Sequence, residues 1–283
     1  FSFEARRYPI DYIVSGRGCP YRCTFCADFI TSGRKLRIRS AENLVAEVEH
    51  LVNNYGVQEI DFQDDNFTYY PDRIFKFCEL MVQKGLHKKV IWKVANGVRC
   101  DKVSLPMLKA MKKAGCYMLS LGIESGNPQR LKDIHKPGAV KNFRKCKEIA
   151  DKYPHLFIKG YLIIGFPDET LGELLDTVNL GLELQLDWYS LQILNPLPST
   201  EIYDNMVERG LIQDALNTNK SAYVFGTSGR QRITEEREKL TAVDFFDLFG
   251  AGCPEELLKP EQLKDFLFLM DYKMNYVITF SIT

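Results

Sequence analysis

Short β-prone runs and longer stretches of helical period alternate along the first 210 residues. "YPIDYIVS" (8–15) has strand character. It is followed by "SAENLVAEVEHLVNNYG" (40–56), where Leu44, Val48, Leu51 and Tyr55 recur at helical spacing. Ser40 is placed to cap that helix and Gly56 to stop it. "VQEIDFQD" (57–64) predicts the second strand, and "PDRIFKFCELMVQKG" (71–85) a helix with proline in its first turn and glycine at its end. The alternation continues through "KVIWKVAN" (89–96), "SLPMLKAMKKAG" (104–115), "CYMLSLGIE" (116–124) and "AVKNFRKCKEIADKYP" (139–154). Then come "LFIKGYLIIGFP" (156–167), "TLGELLDTVNLGLELQ" (170–185), "DWYSLQILNP" (187–196) and "TEIYDNMVERG" (200–210). The run at 156–167 is apolar throughout, as in a strand covered on both faces. Thr170 and Glu173 have the spacing of a capping box.

Six successive βα units predict an α/β fold with parallel strands and right-handed crossovers, as a barrel-like arc or a doubly wound sheet. After 210 the pattern changes. "LNTNKSAYVFGTSGRQRITEEREKL" is polar and loop-rich, and "EELLKPEQLKDFLFLMDYKMNY" reads as helix. The expected organisation is therefore a barrel domain over 1–210 and a small helical extension over 211–283. Phe occupies position 1 and the chain stops in a β-prone run, so we expect a piece trimmed from a longer protein.

Composition narrows the function classes. The 37 Lys and Arg balance 37 Asp and Glu, which gives no global pull toward nucleic acid or anionic membrane. No apolar run approaches the ~20 residues of a membrane span, and no signal peptide is visible. Of eight cysteines, Cys78, Cys100, Cys116, Cys146 and Cys253 stand singly in apolar or helical contexts and read as buried thiols. The expectation is a reducing, cytoplasmic protein. The basic stretch "GRKLRIRS" (33–40) could meet an anion, but it reads equally as a solvated face. Without an aromatic platform it does not support nucleic-acid binding.

The remaining cysteines are grouped. "GRGCPYRCTFC" places Cys19, Cys23 and Cys26 at C-x3-C-x2-C just after the first strand. Structural zinc would want a fourth ligand at matching spacing, and a redox pair would leave Cys19 without a role. An iron–sulfur cube held by three thiolates would keep one iron open. Polar or glycine-rich motifs also follow the later strands: Asp64-Asp65-Asn66, then Asn96 and Arg99, then "GIESG" (122–126), "GFPDET" (165–170) and "NPLPST" (195–200). In a parallel barrel these strand ends share the face where active sites sit.

The cysteine motif on the first loop of six βα units, with an aromatic before the third cysteine, resembles the radical S-adenosylmethionine (SAM) superfamily. The resemblance covers about 1–200. It implies a partial (βα)6 barrel of the TIM type and a [4Fe–4S] cluster on Cys19, Cys23 and Cys26, flanked by Tyr21 and Phe25. SAM would chelate the open iron and be cleaved reductively to a 5′-deoxyadenosyl radical. By the same resemblance Asp64, Asp65 and Asn66 would receive the methionine amine, although a strand-capping turn reads as well. Glu124 and Ser125 would contact the ribose or methionine part, the alternative for Glu124 being a buried ion pair with Arg99. Ile163, Gly165 and Phe166 would line the adenine, while Asp168 stands where relatives often carry glycine.

The later motifs resemble the branch whose members often carry an upstream cobalamin-binding domain. That implies methyl transfer, or a related functionalisation or cyclisation, on a small or medium organic substrate, with a reductant such as flavodoxin or ferredoxin. The alternatives are a cobalamin-independent member, a methylthiotransferase or HemN-like enzyme, and an iron–sulfur electron-transfer or structural module.

Overall fold

The computed structural model describes residues 5–136, 140–153, 155–212 and 260–277. Six strands form one sheet: β1 (Ile10–Ile13), β4 (Glu59–Phe62), β5 (Ile91–Val98), β6 (Cys116–Glu124), β7 (Phe157–Ile164) and β8 (Trp188–Ile193), in that spatial order. β1 pairs with β4, β4 with β5 and β5 with β6 in parallel, Ile10 opposite Glu59 and Ile60 opposite Trp92. This is the six-stranded α/β architecture that the alternation predicts. A small ribbon, β2 (Gly16–Arg17) against β3 (Arg37–Ile38), was not legible from the pattern.

The long helices fall where local signals put them. Ser40 caps α2 (Ala41–Tyr55) by accepting from Asn43 N, and Gly56 ends it at φ 65. The buried face of α2 is Ala41, Leu44, Val45 and Val48, whereas Tyr55 at the predicted end of the stripe is exposed. Pro71 opens α3 (Pro71–Gln83), Ser104 caps α4 (Leu105–Lys113), and α6 spans Val140–Ala150. Thr170 and Glu173 complete the capping box of α7 (Leu171–Leu184), and Thr200 caps α8 (Glu201–Glu208). Two short helices, α1 (Asp28–Thr31) and α5 (Pro128–Asp133), lie in stretches to which the pattern assigns no element. Of the predicted extension, 213–259 lies outside the described residues, Cys253 among them, while α9 (Pro260–Tyr272) is helical as expected.

Two compact units emerge from the chain contacts. One comprises Phe1–Tyr21, Asp28–Gly122 and Lys141–Gly160; the other Arg22–Ala27, Ile123–Val140 and Tyr161–Thr283. In the first, Phe62, Phe67, Phe77 and Trp92 form an aromatic core with centroids 4.8–5.8 Å apart. Trp92 Nε1 donates to Ala114 O at 2.9 Å, satisfying the indole inside that core. On the opposite face of β4 and β5 lies a buried charge network. Lys93 sits 3.3 Å from Glu59 and 3.6 Å from Asp61, and the Tyr117 hydroxyl donates to Glu59 at 2.6 Å. Glu59 also accepts from the Arg6 and Arg7 amides at 2.7 and 2.8 Å, fastening the N-terminal segment. Burial pushes Asp61 up to about 6, although Lys93 pulls the other way.

In the second unit, α9 and the turn after it pack on β8 and α7. Asn275 accepts from Tyr189 N at 2.7 Å and donates to Tyr189 O at 2.8 Å. The Tyr189 hydroxyl donates to Gly181 O at 2.6 Å. Cys78, Cys100, Cys116 and Cys146 are buried and carry no disulfide, as expected. Burial pushes the Cys78 thiol up to about 12, so it stays protonated.

Candidate active site

In the first unit, three consecutive residues after β4 fasten three positions of the cysteine loop. Asp64 accepts from Ser15 N at 2.5 Å and from the Ser15 hydroxyl, and Arg73 stands 3.6 Å away. Asp65 accepts from Gly18 N at 2.7 Å. Asn66 Nδ2 points to Cys19 Sγ at 4.0 Å. Burial pushes the Asp64 carboxyl up, opposed by the Ser15 hydrogen bonds and by Arg73. Its oxygens are committed to Ser15 and Arg73, a bracing role that the sequence did not indicate. Gly18 must be glycine: it adopts φ 96, and a Cβ there would lie 2.5 Å from Lys35 O. Cys19 N donates to Gly33 O at 3.2 Å, so the first cysteine is held by its backbone as well.

Tyr21 lies against cations and aromatics. The Arg99 guanidinium is 3.9 Å from its ring centroid, and Tyr69 meets it edge-on at 6.1 Å. Arg99 is turned to Asp101 at 2.7 Å. The basic stretch is likewise committed: Arg34 donates to Tyr21 O at 2.7 Å, and Arg39 pairs with Glu47 at 2.5 Å.

In the second unit, Cys23 and Cys26 sit on a turn closed by Cys26 N donating to Cys23 O at 3.2 Å. Thr24, between them, donates to Ile134 O and accepts from Ile202 N, both at 3.1 Å. The start of α8 and the loop after α5 therefore position the turn. Cys23 Sγ lies 3.8 Å from His135 O, and the Phe25 ring meets Phe166 edge-on at 6.1 Å.

Glu124 ends β6 at φ 66, a conformation that costs a non-glycine residue energy and that clusters at functional sites. Its partner is Lys136 at 2.7 Å, so the ion pair given as the alternative for Glu124 forms, with a lysine as its cation. Ser125 is buried and serves packing: it accepts from Asn127 N at 3.1 Å and faces Thr177 Oγ1 at 3.3 Å. Gly165 adopts φ 80, and a Cβ there would fall 2.5 Å from Leu263 Cδ2. Its small size thus admits α9 as directly as it could admit a ligand. Phe166 is buried and Ile163 half-buried. Asp168 adopts φ 60, which explains why glycine suits that position; here Arg209 holds the carboxylate at 2.7 Å and keeps its pKa low.

Two residues of this turn were missed. Glu169 is buried and accepts from Gly165 N at 2.5 Å and Phe166 N at 3.2 Å. Burial pushes it up to about 7 against those bonds and Arg130, and its Oε1 has no partner. Arg130 donates to the Pro167 and Asp168 carbonyls, both at 3.2 Å, and to Glu173 at 2.8 Å. The acid inside the apolar "GFPDET" run was the available signal.

The three cysteines are half-buried. Among the described residues no group of three or more His, Cys, Asp or Glu converges to hold a single metal ion. That is compatible with a cube, where each thiolate binds a different iron and the sulfurs need not meet at a point. An all-thiolate donor set suits iron–sulfur chemistry. Among the described residues no helix is long and apolar enough to cross a membrane.

A family model described as the radical SAM superfamily matches residues 13–181. The chain is 31% identical over 210 residues to an uncharacterized methyltransferase of Pyrococcus horikoshii, covering 74% of this chain and 45% of that protein. It is 29% identical over 190 residues to the anaerobic magnesium-protoporphyrin IX monomethyl ester cyclase of Cereibacter sphaeroides, covering 67% and 31%. This chain thus spans less than half the length of either relative. Among solved structures, the radical SAM methyltransferase TsrM of Kitasatospora setae, determined with cobalamin and a [4Fe-4S] cluster, superposes with a TM-score of 0.64. The identity is 16%, over 72% of this chain and 38% of that one, a likeness of fold.

Proposed function

This chain belongs to the radical SAM superfamily, and on that premise we propose that it is the catalytic region of a methyltransferase-type enzyme acting on an organic substrate. The observation that carries the reading is the fastening of C-x3-C-x2-C by residues of three other segments of the chain. Asp65 and Asn66 hold the Cys19 side, and Ile134 and Ile202 hold Thr24. Such preorganisation is what a site needs if its ligands are to keep one geometry through turnover.

Cys19, Cys23 and Cys26 would hold the [4Fe–4S] cluster. When bound, the cluster supplies the electron that cleaves the SAM sulfonium to methionine and a 5′-deoxyadenosyl radical. Tyr21 and Phe25, each backed by a second ring, would shield a cluster held there from water and so influence its potential. Glu124, at φ 66 and paired with Lys136, would accept hydrogen bonds from hydroxyl or ammonium groups of SAM. Asp65 and Asn66 keep a role beside the methionine end, while Asp64 and Ser125 serve the scaffold. Ile163 and Phe166 offer apolar surface for the adenine.

The methyl-transfer part is supported by the methyltransferase relative of Pyrococcus horikoshii, while the cyclase relative supports the related cyclisation reading; the greater lengths of both leave room for a cobalamin domain outside this chain. The central test is anaerobic reconstitution with iron and sulfide, then reduction and addition of SAM. We expect 5′-deoxyadenosine from the wild type and none from Cys23→Ala. A colourless protein that binds zinc stoichiometrically would overturn the reading. For the methyl-transfer part, the full-length protein should bind cobalamin with its characteristic absorbance; a full-length protein that binds none refutes that branch assignment alone.

A further inference from the structure

Asn66 is 3% exposed and uses only half of its amide. Nδ2 faces Cys19 Sγ at 4.0 Å, and the buried Oδ1 has no partner. The opposite amide orientation would set a carbonyl oxygen against a sulfur that becomes a thiolate, so charge favours the donor facing sulfur. Both partners are held. The Asn66 carbonyl accepts from Tyr69 N at 3.4 Å, and Cys19 is fixed by Gly33 O and, one residue earlier, by Asp65. The pair is therefore built into the fold rather than a passing surface contact.

We propose that Asn66 is a positioning residue that sets the reduction potential of the cluster by donating N–H···S to Cys19. The inference rests on the reading of Cys19 as a cluster ligand. A thiolate ligand gains negative charge when the cluster takes an electron, so a donor aimed at it stabilises the reduced form more than the oxidised form. A neutral donor at this distance is a modest hydrogen bond. If most of the bond's strength is gained only in the reduced form, the ratio of reduced to oxidised cluster shifts by up to roughly tenfold. Tenfold corresponds to 59 mV for one electron. Asp64, one turn of chain earlier, does not share this role, because its carboxylate is spent on Ser15 and Arg73.

The test is an EPR-monitored redox titration of the reconstituted full-length wild type, Asn66→Leu and Asn66→Asp, with iron and sulfide content measured first. Both variants should titrate at lower potential. Asn66→Asp should lie lowest, since it removes the donor and adds a carboxylate. An Asn66→Leu midpoint equal to that of the wild type at full cluster content overturns the proposal. A second measurement needs no variant. Wild-type protein labelled with [δ-15N]asparagine should give a 15N coupling in the pulsed EPR of the reduced cluster, and its absence overturns the proposal even if the variants assemble no cluster. A wild type that assembles no cluster refutes the underlying reading, which is a distinct result.

Discussion

Replacing Asp64 by alanine removes a carboxylate that three groups depend on. Ser15 loses the acceptor for both its amide and its hydroxyl. Arg73 loses the carboxylate at 3.6 Å while remaining in a site where its side chain is 6% exposed. Arg73 keeps its bonds to Ser15 O, Ser15 Oγ and Phe67 O at 3.1, 2.8 and 2.8 Å, so its protons stay largely paired. Its charge is no longer opposed, and a guanidinium does not escape by shedding a proton near neutrality. Removing one partner of a buried ion pair costs about 3–5 kcal/mol. That is a large part of the ~5–15 kcal/mol that holds a domain together. Asp64→Asn keeps an acceptor for Ser15 and should cost less, on the order of 1–3 kcal/mol. The assay is urea unfolding of the apo protein under reducing conditions, which isolates the scaffold from any cluster. With a slope of about 1–3 kcal/mol per M, Asp64→Ala should lower the midpoint by at least ~1 M. Arg73→Met in the Asp64→Asn background should be less damaging than the sum of the single changes. An Asp64→Ala midpoint within about 0.3 M of the wild type, with an unchanged slope, refutes the bracing role.

Further outcomes follow from the same structure. Gly165→Ala should destabilise by about 1–3 kcal/mol, because it combines φ 80 with a Cβ 2.5 Å from Leu263 Cδ2. Leu263→Ala should recover part of that loss in thermal melts, whereas strictly additive effects would exclude the clash. Glu169, raised to about 7 by burial, keeps a proton in the folded state that the unfolded chain releases near the ordinary glutamate value of 4.5. Its contribution to stability is therefore fully present below about 4.5 and is lost as pH rises through 7. Glu169→Gln should flatten the pH dependence of unfolding over that window, and an unaltered profile would contradict the assignment. Asp61 acts in the same direction between the ordinary aspartate value of 3.8 and about 6, so Asp61→Asn should flatten the lower part of the profile.

What could be read from the sequence was local. The Ser40 and Thr170 caps, the Gly56 stop and the six strands depend on residues within a few positions of each other. They survived because tertiary packing agreed with them. The cysteine loop was legible because its spacing is a chemical signature within eight residues. The use of Asp64 was not legible: Ser15, the group it holds, lies 49 residues away, and an acid after a strand suits a turn, a ligand or a brace equally. The alternative for Glu124, a buried ion pair, is present, but its cation is a lysine twelve positions on, which no local pattern singles out. The burial of Lys93 was hidden for the opposite reason. A lysine within the apolar part of "KVIWKVAN" looks like a solvent-facing position until Glu59 and Asp61 are seen beside it.

The amide of Asn275 engages both backbone groups of Tyr189 on β8, the last strand in the sheet order. A side-chain amide has the same donor and acceptor as a peptide group, so at that residue it substitutes for a neighbouring strand. Unpaired edge strands invite pairing with other chains. A shortened protein ending near residue 210 would present that edge bare. Its first failure would be self-association through β8 at high concentration, before any loss of chemistry at the cysteines.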